Sequence, residues 1–389
     1  MIKPSFFKTK HSVFFHLRQF MNKFLLALVL VAFSTASSAA VIYDKDGTNL
    51  SVIGRIQAVA YSGNYNKAGS DDSTLWNSSR FGLAGRTNVN DYFAVYGFAD
   101  WDMADGCFRD SRTDARHMYV GTDFKKYGKL QFGKQLGSLY DVQNATDTFE
   151  ETGIKLQSNT NRSRRPGTIR YMYQGYGVNF SASYQTAADN VPILNDGYKR
   201  SVKSGYSVGI GYTFDNIVFG PLSFKTAYEL LNGQKDGDRV AATAPEVQKG
   251  YGSTDLDNMK HVAASIAWGN QQEGLYFGTL FENYDLSYEN SHDLKIKGIE
   301  LVCGYAFESG FVTTIGYNLV DKKTKDFGVD SSSTMTRRIP VIVRYKATPN
   351  TEFWTEVEFD ANSSDNANDE KKTHNSKDTL FAAGARYWF

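Results

Sequence analysis

The chain has 389 residues with 43 Lys+Arg against 42 Asp+Glu, so it is near neutral and lacks the clustered basic excess of a nucleic-acid-binding protein. Glycine (34), tyrosine (24) and phenylalanine (27) are abundant and proline is scarce (7), a composition that suits a strand-rich chain with many tight turns. Its negative mean hydropathy does not exclude a membrane, because a transmembrane barrel alternates lipid-facing and water-facing residues and shows no long apolar run.

The one long apolar run is Phe24–Phe33, too short for a spanning helix, which needs about 20 apolar residues. Lys3, Lys8, Lys10, Arg18 and Lys23 precede it and the small residues Ser34–Ala40 follow. Basic, apolar and small segments in that order predict a secretory signal peptide over residues 1–40, cleaved near Ala39 or Ala40. Met21 would itself make a normal signal start, so residues 1–20 read as an N-terminal extension or a start-site artefact. Residues 41–389 then form one domain. Cys107 and Cys303 lie far apart, and neither has the spacing of a metal site; no metal and no cofactor is expected.

From Val41 onward the chain alternates. In Leu50–Tyr61 one face carries Leu50, Val52, Gly54, Ile56, Ala58 and Ala60, and the other carries Ser51, Arg55 and Gln57. Such a period of two belongs to a strand between two different solvents. In Arg80–Arg86, Phe81, Leu83 and Gly85 oppose Arg80, Gly82, Ala84 and Arg86. A charge facing lipid at mid-depth costs about 2–4 kcal/mol, so these arginines are expected to face a wet lumen.

Short turns are expected at Asn88–Asp91, Lys125–Lys129, Gln174–Gly177, Asp215–Pro221, Asn270–Gly274, Phe307–Gly310 and Ala347–Asn350. Long polar connections are expected at Ser62–Asn77, Ala104–Asp114, Leu136–Arg165, Ala187–Lys203, Asn232–Asn258, Ser287–Lys295, Lys322–Met335 and Ala361–Lys377. They divide the chain into sixteen strands and alternate in length, as in an all-β, antiparallel, up-and-down transmembrane barrel with short periplasmic turns and long external loops. The final segment, Thr379–Phe389, is the clearest strand. Phe381, Ala383, Ala385, Tyr387 and Phe389 share one face, with Arg386 and Trp388 on the other, which puts Tyr387 and Phe389 at a membrane interface.

The segments Val41–Arg55, Arg80–Gly85, Arg116–Gly121, Gly128–Lys134 and Gly384–Phe389, in that order, resemble the general trimeric porins of Gram-negative bacteria. That resemblance implies an outer-membrane location and a sixteen-stranded barrel whose third external loop folds into the lumen. It also implies a homotrimer, in contact with membrane lipid and lipopolysaccharide, that passes small hydrophilic solutes and ions without catalysis. Carried over position by position, it makes Arg55, Arg80, Arg116 and Arg164 a basic wall and Asp147 and Glu151 the loop acids, with Tyr140 on the ascending limb. The adjacent Glu150 adds to the acidic group, and Lys134 and Arg170 fall on polar faces as further pore-lining candidates. The family's Pro-Glu-Phe-Gly-Gly loop tip is replaced by Glu150-Glu-Thr-Gly153, with Phe149 offered as a shifted anchor.

Three rival functions compete with this one. A barrel hydrolase would need a nucleophile beside a base, and none of the six histidines sits in such a pattern. His117 shares the parity of Tyr119 and is read as a girdle or subunit-contact residue. A sugar- or phosphate-specific channel is the second rival and a barrel-anchored adhesin the third. The acidic stretch Asp360–Glu370 is read as a solvated external loop.

Overall fold

The computed structural model describes residues 39–62, 74–103, 113–152, 164–194, 199–234, 256–288, 292–326, 329–362 and 379–389. Residues 1–38 of the expected leader, Cys107 and most of the stretch Asp360–Glu370 lie outside these. The first strands are β1 (Ala40–Lys45), β2 (Thr48–Ser62), β3 (Thr74–Asn88), β4 (Ala94–Asp102), β5 (Asp114–Asp123) and β6 (Lys129–Leu136). They are followed by β7 (Arg164–Gly175), β8 (Val178–Gln185), β9 (Ala188–Pro192), β10 (Lys199–Ile217), β11 (Gly220–Gly233) and β12 (Leu256–Asn270). The last are β13 (Glu273–Tyr288), β14 (His292–Ala306), β15 (Phe311–Asp326), β16 (Val329–Thr348), β17 (Thr351–Asp360) and β18 (Leu380–Trp388).

Sixteen of these strands, β2–β8 and β10–β18, close an antiparallel barrel. The ring passes from β8 directly to β10 and seals where β18 meets β2, Phe381–Trp388 lying against Ser62–Arg55. β9 is an accessory strand on the start of β10, and β1 a short hairpin on β2. The β1–β2 turn is Asp46-Gly47, both with positive φ (53° and 73°), the two-residue geometry that Asp-Gly favours. β1 occupies the edge of β2 that β18 leaves at Phe389, so the two end to end flank one side of β2.

All seven short turns stand where the sequence puts them. Two expected long connections do not. β13 runs to Tyr288 and β14 starts at His292, while β15 and β16 extend to Asp326 and from Val329, so most of 287–295 and 322–335 is strand. The residues there are polar because the ladder continues beyond the apolar band into water, where cross-strand charges brace it. Lys295 Nζ lies 3.2 Å from Asp285, and Lys297 and Lys323 lie 3.8 and 3.7 Å from Asp321.

The two faces of the wall differ as the alternation demands. Outward residues include Ile56, Phe81, Phe277, Phe281, Ile315, Phe353 and Tyr387, all exposed, while the inward Asp100, Glu229, Glu282, Glu300, Glu356 and Arg386 are buried. At the short-turn end, aromatic rings pair on the outside: Phe219 stacks on Trp268 (4.3 Å between centroids) and Phe311 on Tyr345 (4.5 Å). This is the girdle expected at a lipid–water boundary. At the seam, Phe389 and Gly54 exchange two backbone hydrogen bonds of 2.8 and 3.0 Å. The Phe389 ring covers Gly54 so closely that a Cβ there would sit 2.4 Å from Cζ. Gly54 is therefore small because the terminal ring needs its space. Gly54→Leu should displace that ring and cost about 1–3 kcal/mol in overpacking. The expected result is a lower temperature for conversion of the folded, fast-migrating form to the unfolded band in gel electrophoresis; an unchanged transition would mean the ring does not pack there.

Candidate pore constriction

Arginines from β2, β3, β5 and β7 form a braced row on one wall. Arg55 stands opposite Arg80 in the β2–β3 ladder. Arg80 Nε donates to Asp102 Oδ1 (3.1 Å) and Arg116 Nη1 to Asp102 Oδ2 (2.9 Å), with Arg116 Nε 3.5 Å from Asp100. Asp100 and Asp102, two apart on β4, thus share the inward face and hold the guanidiniums apart from one another. Arg164 Nε reaches His117 Nε2 at 3.2 Å, and His117 Nδ1 lies 2.8 Å from Asp100.

Arg116 faces the lumen as expected, though not by simple parity, and the parity reading of His117 needs correction. Arg116 shares its parity with Met118 and Val120, which face outward, yet it points at inward Asp100. A bulge explains this: Asp100 pairs with His117 and Trp101 with Ala115, so Arg116 is the extra residue and is re-aimed. His117 is correspondingly inside the barrel, not at a girdle or subunit contact. Lys134 stands opposite the outward Met118, and its ammonium caps the Ala115 carbonyl. Arg170 donates to the Leu136 carbonyl (3.1 Å) and pairs with Asp141 (2.5 Å) at the root of the following loop.

That loop, from Gly137, makes contacts all round the opposite wall. A short helical turn at Tyr140–Gln143 puts Leu139 and Val142 on one face, against Ala227, Ala263 and Leu280 of β11–β13. Gln143 Nε2 donates to Glu282 (2.6 Å), Tyr276 Oη to the Ala145 carbonyl (2.6 Å), and Thr146 Oγ1 to Glu300 (2.8 Å). Gly278 is required beneath it, since a Cβ there would lie 2.2 Å from the Ala145 oxygen. Phe149 is buried with Tyr61, Ile342 and Trp354, the anchor position the sequence offered for it. Beyond it the Glu356 carboxylate accepts the backbone N–H groups of Glu150, Glu151 and Thr152 at 3.0, 3.0 and 2.5 Å.

The acids diverge. Asp147 accepts from Tyr140 Oη at 3.3 Å. Glu150 is held by Arg386 Nη2 (2.5 Å) with Arg344 at 3.7 Å; burial works to raise its pKa, but these guanidiniums and Arg55 hold it below the usual carboxylate range. Glu151 accepts from Tyr61 Oη at 2.6 Å, and burial, reinforced by neighbouring Glu356 and Glu150, pushes its pKa up. Asp100, Asp102, Arg344, Glu356 and Arg386 are not among the residues that the sequence singles out. The last two sit on the inward parity of their strands, the one signal that could have found them.

The profile described as Gram-negative porin matches residues 26–388. The chain belongs to the Gram-negative porin family. This porin is 26% identical over 383 residues to outer membrane porin PhoE of Klebsiella oxytoca, covering 95% of this chain and 100% of that protein. Outer membrane protein F of Serratia marcescens is 27% identical over 393 residues, with the same coverage. Among solved structures, Salmonella typhi OmpF in complex with daunomycin has a TM-score of 0.65 at 19% identity, covering 90% of this chain and 100% of that one. The anion-selective porin from Comamonas acidovorans gives 0.64 at 15% identity, covering 88% and 100%. The porin resides in the Gram-negative outer membrane and forms a water-filled channel for passive diffusion of small hydrophilic solutes and ions.

Glu356→Ala removes the acceptor of three successive N–H groups. Leaving them unpaired should cost about 1–3 kcal/mol each where water cannot replace it. The expected readout is a marked rise in open-channel current noise with the barrel still folded; noise at the wild-type level would show that the tether is dispensable.

Proposed function

We propose that residues 137–152 form the constriction of this channel and that its ion preference is set there. The observation carrying this reading is the reach of Glu150 and Glu151 to Arg386 and Tyr61, on the two strands that close the seam. Their strand β2 also bears Arg55, opposite Arg80, so loop acids and arginine row belong to one neighbourhood. Opposed charges in a narrow, partly desolvated passage act more strongly than in bulk water and create a field across the path. Hydrated dipolar solutes align with it, ions are weakly sorted, and bulky apolar solutes gain nothing. With acids and bases close to balance, the selectivity is weak.

The proposed assembly is a homotrimer embedded in lipid and lipopolysaccharide. Supporting it, the outward face of β3–β6 carries a shallow apolar depression lined by Leu83, Gly85, Gly97, Ala99, Met118, Val120 and Phe132, where small residues permit another barrel to approach. Gly54 does not contribute to such a face, since Phe389 covers it.

Asp147→Asn combined with Glu151→Gln should shift the reversal potential in a salt gradient towards anions. An unchanged potential would mean the loop does not border the path. Because the Glu151 pKa is raised and that of Glu150 lowered, Glu151 takes up its proton first as pH falls. The channel should therefore move towards anion preference at a pH above the ordinary carboxylate range, and Glu151→Gln should abolish that early movement.

A further inference from the structure

The terminal strand does more inside the barrel than close it. Its inward face presents Gly384, Arg386 and Trp388 in succession, and together they build a seat for one guanidinium. Trp354 lies over Gly384, where a Cβ would meet Cζ2 at 2.1 Å, and its ring then sits beneath Arg386 at 4.7 Å. Trp388 flanks the same guanidinium at 5.3 Å, and Arg386 Nε donates to Gln57 Oε1 at 2.9 Å. A guanidinium stacked on aromatic faces and hydrogen-bonded at one edge has one free edge, and that edge meets Glu150 at 2.5 Å. Arg386 is only 6% exposed. It is therefore a fixed donor aimed at the loop tip.

We propose that Arg386 is a positioning residue for the constriction: it clamps Glu150 to the seam strand, withdraws that carboxylate from the permeation path and fixes the loop tip in register with the barrel closure. The inference rests on the reading of residues 137–152 as the constriction and adds to it. Asp147 and Glu151 then carry the acidic side of the field, while Glu150 serves as an anchor. The two tethers are complementary, since Glu356 holds the backbone of Glu150–Thr152 and Arg386 holds the Glu150 side chain.

The test records single channels of Arg386→Met, Glu150→Gln and the double variant in planar bilayers, with gel mobility confirming each barrel is folded. Loss of a charge-assisted hydrogen bond should raise the occupancy of subconductance states about tenfold in either single variant. The double variant should show no further rise, because both changes remove one interaction. Arg386→Met should also raise the cation-over-anion permeability ratio about fourfold, since one unit charge about 10 Å away in water changes each ion's permeability about twofold, in opposite directions for cation and anion. Arg386→Lys, which keeps the charge but not the fork, should restore the permeability ratio and leave the subconductance occupancy raised. If Arg386→Met shifts only the permeability ratio and the channel stays quiet, Arg386 is merely a fixed charge and the clamp is overturned; where Arg386→Met does not fold, Arg386→Lys decides on occupancy alone. Loop placement is tested separately, with Glu150→Cys and Arg386→Cys in a Cys107→Ser, Cys303→Ser background. A short bis-methanethiosulfonate is needed because the paired side chains separate the backbones beyond direct disulfide reach. Cross-linking with quiet single variants would sink the clamp alone, whereas failure to cross-link would remove the tip from the seam and with it the constriction reading.

Discussion

Hydrocarbon offers no hydrogen-bond partner to a peptide group, so a sheet in a membrane must leave no open edge. Everything else in this porin depends on how that demand is met between β18 and β2. The two strands pair from Phe381–Ser62 to Trp388–Arg55, and the exchange of hydrogen bonds between Phe389 and Gly54 completes the seam. β1 then takes over the same edge of β2. One glycine leaves room for the last aromatic ring to cover the junction.

The inner side of the same junction is polar, and the polarity is organised. Arg55 and Arg386 come from the two seam strands, Tyr61 from further along β2, and the loop from Gly137 meets them through Glu150 and Glu151. On the way it is held by acids that point inward from β13, β14 and β17, namely Glu282, Glu300 and Glu356. A buried carboxylate would be costly alone; each here accepts hydrogen bonds from the loop, so the wall's polar residues and the loop's backbone and side chains satisfy one another. The opposite solution appears in the arginine row, where Asp100 and Asp102 keep like charges in place from behind.

Much of this is legible in the residues. A period of two with charges on one side, seven well-placed turns and a terminal aromatic strand are enough for sixteen strands and for the inward direction of Arg55 and Arg80. The departures have physical causes. Polar strands above the membrane have the composition of loops, so 287–295 and 322–335 look like connections. Asp46-Gly47 is a strong hairpin signal, but the short segment before it, Val41–Lys45, carries no period of two to mark it as a separate strand. Arg116 and His117 cannot be placed by parity because a bulge resets it. Arg386 and Glu356 stand on inward parity in plain view, yet their meaning comes from partners more than 200 residues away, across the barrel.

A closed, water-filled cylinder lets hydrated solutes through without binding them tightly. Single-channel conductance across a wide range of salt concentration tests that claim most directly. The expected result is discrete steps whose size follows the conductivity of the bulk solution without saturating. A silent bilayer, or a conductance that saturates at moderate salt, would contradict it.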